Sequence, residues 1–128
     1  MAKALGIGGV FFRATDPKKL AKWYAEHLGI EINASFGGTS FLPENLPAGA
    51  YTIWSPFPSD TKYFAPSTND YMINLIVDDL HAALEQVKRG GAALHGEPQK
   101  LDFGDFGWFT DPEGNKVELW EPNPDGPR

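Results

Sequence analysis

The chain has 128 residues, a length typical of one domain, and its 41% hydrophobic and 22% charged residues are an ordinary globular composition. It has no cysteine, which excludes disulfides and thiolate zinc sites, and its net charge of −6 argues against nucleic acid, because phosphate affinity needs clustered lysine and arginine. No apolar run is long enough to span a bilayer and the N-terminus lacks a signal-peptide hydrophobic region, so we expect a cytoplasmic protein without a membrane partner.

The first half begins with a strand pattern and continues with a helix pattern. The aromatic and β-branched run over 8–15 predicts a strand. Asp16-Pro17 then begins an amphipathic helix over 17–28, where apolar residues recur at three- and four-residue steps, and Gly29 ends it. Short strands are predicted near 30–34, 38–42 and 50–55. A proline-rich linker or ligand-side loop is predicted over 56–70.

The same pattern restarts near residue 71. Residues 71–77 predict a strand, and Asp78-Asp79 precede a helix that Gly90-Gly91 ends. The apolar face of this helix carries Leu80, Ala83, Leu84 and Val87. Strands are predicted near 92–95, 105–110 and 115–121, with a tight turn over 111–115 and a frayed tail over 123–128.

The two halves therefore share one order of elements, and this internal repeat predicts the architecture. Placing Asp16 over Asp79 superposes Gly9 on Met72. Each half leaves one face of its sheet open, and two such faces close on each other within a chain or between chains. We predict one α+β domain over 1–128, built from paired βαβββ modules that form a curved, barrel-like cleft. Its parts are module one at about 6–55, a linker or flap loop at 56–70, module two at about 70–122, and a tail at 123–128.

Four motifs carry a resemblance to a known superfamily. They are Val-Phe-Phe-Arg-Ala-Thr-Asp at 10–16, Trp-Tyr-Ala-Glu-His-Leu-Gly at 23–29, Asn-Leu-Ile-Val-Asp-Asp-Leu at 74–80, and the run from Trp108 to Trp120. The most specific part is the Asp-Pro-Glu-Gly-Asn turn followed by Val-Glu-Leu. In their order and spacing, over about residues 6–122, the chain resembles the vicinal-oxygen-chelate superfamily of glyoxalase I, bleomycin-resistance proteins and extradiol dioxygenases.

The resemblance implies a divalent-metal site, but most of its ligand types are absent. In the glyoxalase I pattern the four ligand positions fall on Gly9, near Thr52 or Ile53, on Met72 and on Glu118. Only Glu118 has ligand chemistry, whereas catalytic zinc sites usually have three protein ligands. We therefore predict no metal ligands and no cofactor, with a divalent metal as the disfavoured alternative. The histidines are interpreted as surface or core-edge residues: His27, His81 and His95.

Glu118 is the candidate catalytic residue. On the last strand it shares a face with Trp120, and a carboxylate that is poorly solvated beside an indole suits a general base. The alternative is a buried glutamate held by a partner that the sequence does not reveal. By the resemblance, Arg13 matches an arginine that binds a substrate carboxylate, with an intrachain salt bridge as the alternative. Asn74 either orients a polar ligand or bonds to the backbone.

The other candidates are apolar or aromatic walls of a small-ligand pocket. Tyr63 lies in a loop with several rings, and we expect this loop to form a flap over the pocket. Core packing is the competing interpretation for most of the rings. The remaining predicted ligand-binding residues are Met72, Trp54, Trp108 and Trp120.

Three functions stay open. The first is a glyoxalase-like protein that acts on or binds a small organic molecule without the standard metal site, as a lyase or isomerase if it is an enzyme. The second is a bleomycin-resistance-type protein that sequesters a ligand without catalysis. The third is a metal-dependent lactoylglutathione lyase or dioxygenase. By analogy with the same superfamily, we also expect a homodimer.

Overall fold

The computed structural model describes residues 1–125, and residues 126–128, the end of the predicted tail, lie outside the described residues. Helices flank a mixed five-stranded sheet whose strands all lie beyond residue 72. In chain order the elements are α1 (Pro17–Leu28), a short 3-10 helix (Pro43–Asn45), β1 (Ile73–Ile76), α2 (Leu80–Arg89), β2 (Ala93–Leu94), β3 (Gln99–Leu101), β4 (Gly104–Thr110) and β5 (Lys116–Pro122).

Both α-helices begin at an aspartate that caps their free amide groups. The Asp16 carboxylate accepts a hydrogen bond of 3.1 Å from the Lys19 amide, and the Asp79 carboxylate accepts one of 3.0 Å from the Ala82 amide. Gly29 ends α1 with φ at 67°, a left-handed conformation that glycine adopts without a steric cost. The predicted bounds and caps of both helices are confirmed.

The sheet places β5 between two different neighbours. The strand order is β1-β5-β4-β2, with β3 also paired to β4. Strand β5 runs parallel to β1 and antiparallel to β4. The strands predicted for the second half are confirmed, and β3 is an additional strand. It escaped prediction because it has three residues, all exposed, and therefore no alternation of polar and apolar positions.

The turn between β4 and β5 is organised by one buried carboxylate. Asp111 Oδ1 accepts 2.9 Å hydrogen bonds from the backbone amides of Glu113 and Asn115, which confirms the predicted tight turn. The Glu113 side chain extends from this turn and accepts hydrogen bonds from the amides of Thr15 and Asp16. These two bonds favour the charged form and hold the pKa of the Glu113 carboxyl below its usual range.

Helix α1 is joined to the second half by side-chain contacts. Trp23 Nε1 donates a 2.9 Å hydrogen bond to the Gly90 carbonyl, and Tyr24 Oη donates one of 2.8 Å to Asp111 Oδ2. The Trp23 ring also packs against Phe109, with the ring centroids 5.8 Å apart. The helix of the first half is therefore attached to the core of the second.

The core lies between α2 and one face of the sheet. Strand alternation sends Val117 and Leu119 to this face. Gly107 lies opposite Leu119, and a Cβ added there would lie 2.8 Å from Leu84 Cδ1, so α2 approaches β4 closely because position 107 has no side chain. The core cluster consists of Leu80, Ala83, Leu84, Val87, Phe109, Val117 and Leu119.

The first half does not form the sheet that the repeat predicts. Among residues 1–125, the strands predicted at 8–15, 30–34, 38–42 and 50–55 are absent, apart from one isolated bridge between Asn33 and Gly38. Gly9 lies in no strand and Met72 directly precedes β1, so the prediction of equivalent strand positions within the chain is wrong. Strand patterns need a paired neighbour, and the chain supplies none here.

Helices α1 and α2 have 12 and 10 residues, and among the described residues no helix could span a bilayer. The module boundaries predicted near 55 and 70 stay a prediction. The hydrogen-bonded sheet begins only at Ile73, after the predicted linker.

Leu119→Ala should lower the free energy of unfolding by about 2–5 kcal/mol, because it leaves a cavity between β5 and α2 at a fully buried position. Leu101→Ala removes the same atoms from a side chain that is 51% exposed on β3, and should cost less than about 1 kcal/mol. Urea unfolding of both variants measures the difference. Equal losses would contradict this assignment of the core.

Candidate functional site

Three polar side chains form a row across the sheet. The register pairs Asn74 of β1 with Glu118 of β5, and Glu118 with Trp108 of β4. Residues paired across neighbouring strands project to the same face, so the three side chains meet on the face opposite the α2 core. The sequence indicated this face for Glu118, but the order of the strands brings the other two beside it.

Glu118 holds a buried carboxylate with both oxygens hydrogen-bonded. Its Oε1 accepts a 2.7 Å bond from Asn74 Nδ2. Its Oε2 accepts bonds from Trp108 Nε1 at 2.8 Å and from Tyr63 Oη at 2.6 Å. Glu118 is only 8% exposed, so these donors replace the water that a carboxylate loses on burial. All three donors are neutral, and the negative charge is therefore not cancelled by a direct ion pair with them.

Tyr63 reaches this row from the predicted flap loop. Its ring lies edge-on to Trp108, with centroids 6.3 Å apart, and is stacked on Phe57 at 5.7 Å. Burial raises the pKa of the Tyr63 hydroxyl, and the hydrogen bond to Glu118 raises that pKa further. The phenol therefore stays protonated and remains a donor over the ordinary pH range.

Lys116 completes the cluster and was not predicted. Its Nζ donates a 2.6 Å hydrogen bond to the Tyr63 carbonyl and lies 5.2 Å from the centre of the Tyr63 ring. Burial lowers the pKa of the Lys116 ammonium, and the negative charge of Glu118 opposes that shift. Alternation along the strand could have predicted it, because Lys116 lies two residues before Glu118 and therefore shares its face.

Trp120 lies one step along the same face and serves packing. Its ring is stacked on Phe106 at 5.9 Å, and Tyr51 meets it edge-on at 5.0 Å. Its Nε1 donates a 2.9 Å hydrogen bond to the Phe103 carbonyl. Since Trp120 is buried and its polar atom is already bonded, it forms a wall beside the cluster and offers no free donor.

The structure brings together four of the predicted site residues, Glu118, Asn74, Trp108 and Tyr63, with Trp120 next to them. It does not bring Arg13 or Trp54 to this cluster. Arg13 instead lines a separate cavity of about 730 Å³ together with residues from 66–71 and 113–115. The Trp54 side chain is 77% exposed. Met72 is half-buried just before β1.

Arg13 and Trp54 lie away from the Glu118 cluster for one physical reason. Alternation assigns a side chain to a face only when its segment is a strand in a sheet. Neither residue lies in a strand of this chain, so neither is directed toward the row on β1, β4 and β5.

The side chains at the cluster do not fit the divalent metal that the superfamily resemblance implies. Within residues 1–125, no three histidine, cysteine, aspartate or glutamate side chains group closely enough to hold an ion. Around Glu118 the polar neighbours are an amide nitrogen, an indole nitrogen and a protonated phenol, all of them donating to the carboxylate. These groups are poor ligands for hard cations.

Comparisons with known proteins agree with this fold. A family model described as a glyoxalase-like domain matches residues 9–120. The uncharacterized protein YetH of Bacillus subtilis (strain 168) is 27% identical over 119 residues, covering 90% of this chain and 97% of the relative.

Solved structures show the same architecture. TnmS3, an antibiotic binding protein from Streptomyces sp. CB03234, has a TM-score of 0.54 and 22% identity, covering 94% of this chain and all of its own. A glyoxalase/bleomycin resistance protein from the same organism has a TM-score of 0.50 and 22% identity, covering 84% of this chain and 93% of its own. At these identities the likeness concerns the fold, and it confirms the predicted α+β glyoxalase/bleomycin resistance class.

The hydrogen bonds donated by Tyr24 and Tyr63 make the free energy of unfolding fall at alkaline pH. Burial, with Asp111 or Glu118 as the acceptor, raises the pKa of Tyr24 and Tyr63 above the unfolded value of about 10. Their stabilisation is therefore complete below pH ~10 and is lost as the pH rises through the folded-state pKa. The difference in unfolding free energy between wild type and Tyr63→Phe should shrink above pH ~10, as urea titrations at stepped pH would show. A difference that stays constant into strong alkali would contradict this.

Proposed function

Because the chain belongs to the glyoxalase-like domain family, we propose that it binds a small organic molecule at the Glu118 cluster and sequesters it without catalysis. The observation that carries this proposal is the buried Glu118 carboxylate, whose two oxygens accept hydrogen bonds from three neutral side chains. Aromatic walls around a few fixed polar groups are typical of small-ligand sites.

The hydrogen bonds to Glu118 favour a binding role over a general base. A general base needs a lone pair directed at the proton that it removes. Trp108 and Asn74 are held on strands beside Glu118 and donate to one oxygen each. With the Tyr63 hydroxyl, these donors occupy lone pairs on both oxygens, but Oε1 accepts only one bond and can still accept one further donor. The antibiotic-binding relative supports this proposal, since a protein of the same fold binds a small molecule.

Glu118→Gln should weaken binding of small aromatic compounds carrying an O–H or N–H donor by roughly tenfold or more, because it removes a hydrogen bond to a charged acceptor. Calorimetric titration with a panel of such compounds measures the dissociation constants. Glu97→Gln makes the same change at an exposed position and should leave them unchanged. Turnover of a panel compound that disappears in Glu118→Gln while its affinity is kept would instead support a glyoxalase-like lyase or isomerase with Glu118 as the base.

The proposal includes a homodimer, and exposed surface supports it. A folded monomer of 14.1 kDa is expected to expose roughly 6,700 Å², whereas this chain exposes 9283 Å². The excess, roughly 2,500 Å² per chain, would give a dimer interface of about 5,000 Å² in total, which is the size of an obligate interface. Twofold pairing is the common arrangement for small oligomers.

The exposed large apolar side chains lie mainly in the first half, where the predicted strands have no partner. Unpaired extended segments with apolar side chains favour pairing with another chain. A second copy offers the same unpaired segments, so one twofold contact covers both. Exposed large apolar residues of this half include Leu5, Val10, Phe11, Phe36, Phe41, Ile53 and Trp54.

Sedimentation at about tens of micromolar should therefore show a dimer. Phe11→Glu, at a side chain that is 96% exposed in the single chain, should shift the population toward monomer because it places a charge in the apolar contact. Leu101→Glu introduces the same charge on an exposed apolar residue of the second half and should leave the dimer intact. A wild-type monomer at this concentration would contradict the dimer.

A further inference from the structure

Tyr63 occupies the position that a ligand of Glu118 would take. We propose that Tyr63 is a displaceable internal occupant of the site, and that the ligand is a neutral hydroxylated aromatic molecule, a phenol, which takes its place. This inference rests on the proposed binding function, because it names the ligand class of the same cluster.

The contacts of Tyr63 describe the shape and chemistry of the position. Its hydroxyl donates to Glu118 Oε2 at 2.6 Å. Its ring has the edge-on Trp108 ring on one side and the stacked Phe57 ring on another, with centroids 6.3 Å and 5.7 Å away. Lys116 Nζ lies 5.2 Å from the ring centre. The contacts with Glu118, Trp108 and Lys116 are equally available to the phenol ring of a ligand, whereas Phe57 belongs to the same loop as Tyr63 and moves with it.

Tyr63 and its loop are attached less firmly than the groups beneath them. Tyr63 is 40% exposed and Phe57 is 45% exposed, whereas Glu118 and Trp108 are each 8% exposed. One loop turn is closed within the loop, by the Thr61 amide donating to the Pro58 carbonyl, and it keeps this bond when the loop moves. Two other bonds join the loop to the β4–β5 hairpin, from Lys116 Nζ to the Tyr63 carbonyl and from Asn69 Nδ2 to Asn115 Oδ1, and displacement of Tyr63 releases the first of them. After displacement, Trp108 and Asn74 still donate to Glu118, and the ligand hydroxyl replaces the third donor.

The charges around the position favour a neutral donor. An anionic ligand would meet the Glu118 carboxylate, whose oxygens can only accept. A cationic ligand would be attracted by Glu118, but its ring would lie under the Lys116 ammonium, which now sits over the Tyr63 ring. A phenol avoids both conflicts, because its hydroxyl donates to the carboxylate and its ring face attracts the ammonium.

The absence of native cysteine allows loop displacement to be observed at a single label. Ser59→Cys, in the exposed part of the loop, can carry a fluorophore whose emission reports movement away from the sheet. Titration with 4-methylphenol should change this emission in proportion to binding. The matched compounds 4-methylanisole, which lacks the donor, and benzylamine, which is cationic, should bind at least tenfold more weakly.

Tyr63→Phe separates competition from packing, because it keeps the ring and removes the hydroxyl that competes for Glu118. The dissociation constant of this variant for 4-methylphenol should fall roughly tenfold, because its loop no longer has a hydroxyl bond to Glu118 that the ligand must break. Tyr71→Phe removes a hydroxyl from a tyrosine that lines the other cavity and should leave that constant unchanged. Affinity that is unchanged or weaker in Tyr63→Phe, or 4-methylanisole binding as tightly as 4-methylphenol, would overturn the inference.

The two proposals fail in different ways. If no aromatic probe binds wild type or Tyr63→Phe in a manner sensitive to Glu118→Gln, the binding function at this cluster fails and the inference fails with it. If probes bind and depend on Glu118, but Tyr63→Phe does not tighten 4-methylphenol binding or the label does not respond, only the displacement by a phenol is wrong.

Discussion

A buried carboxylate on an interior strand is the constraint on which this site depends. Glu118 lies on β5 with neighbours on both sides, and burial removes most of its water. The donors that replace that water come from β1, from β4 and from a loop 55 residues earlier in the chain. The parallel register of β1, the antiparallel register of β4 and the position of the loop must therefore all hold together for Glu118 to keep its hydrogen bonds.

Alternation along β5 places apolar core side chains on one face of the sheet and the Glu118 cluster on the other. Val117 and Leu119 join the core under α2, while Glu118 and Trp120 lie on the opposite face. The core face is apolar and attached to two helices, which gives the polar row a rigid support. The same face in the metal-binding pattern of the superfamily would need several ligands, and here the carboxylate is surrounded by aromatic and amide donors.

The two halves of the chain have similar sequence patterns but different structures. The second half closes a sheet from its own strands, whereas the first contributes a docked helix and exposed segments that lie in no strand. The excess of exposed surface and the unpaired segments have a common explanation, because a strand without a neighbour leaves both its amide groups and its apolar side chains uncovered. The first half, whose predicted strands have no neighbour within the chain, is the half proposed to contact a second copy.

The sequence by itself determined the elements whose signals are local. Asp16 and Asp79 mark both helix starts, Gly29 marks an end, and the Asp111 turn and the alternation around Glu118 define the last hairpin, since caps, turns and periodicity act within a few residues. Only the tertiary structure decided the rest: Tyr63 and Lys116 reach Glu118's cluster, whereas Arg13 and the first-half strands do not. The hydrogen-bond partners of a buried charge, and the neighbours that a strand needs, come from distant parts of the chain or from another chain, and no local pattern specifies them.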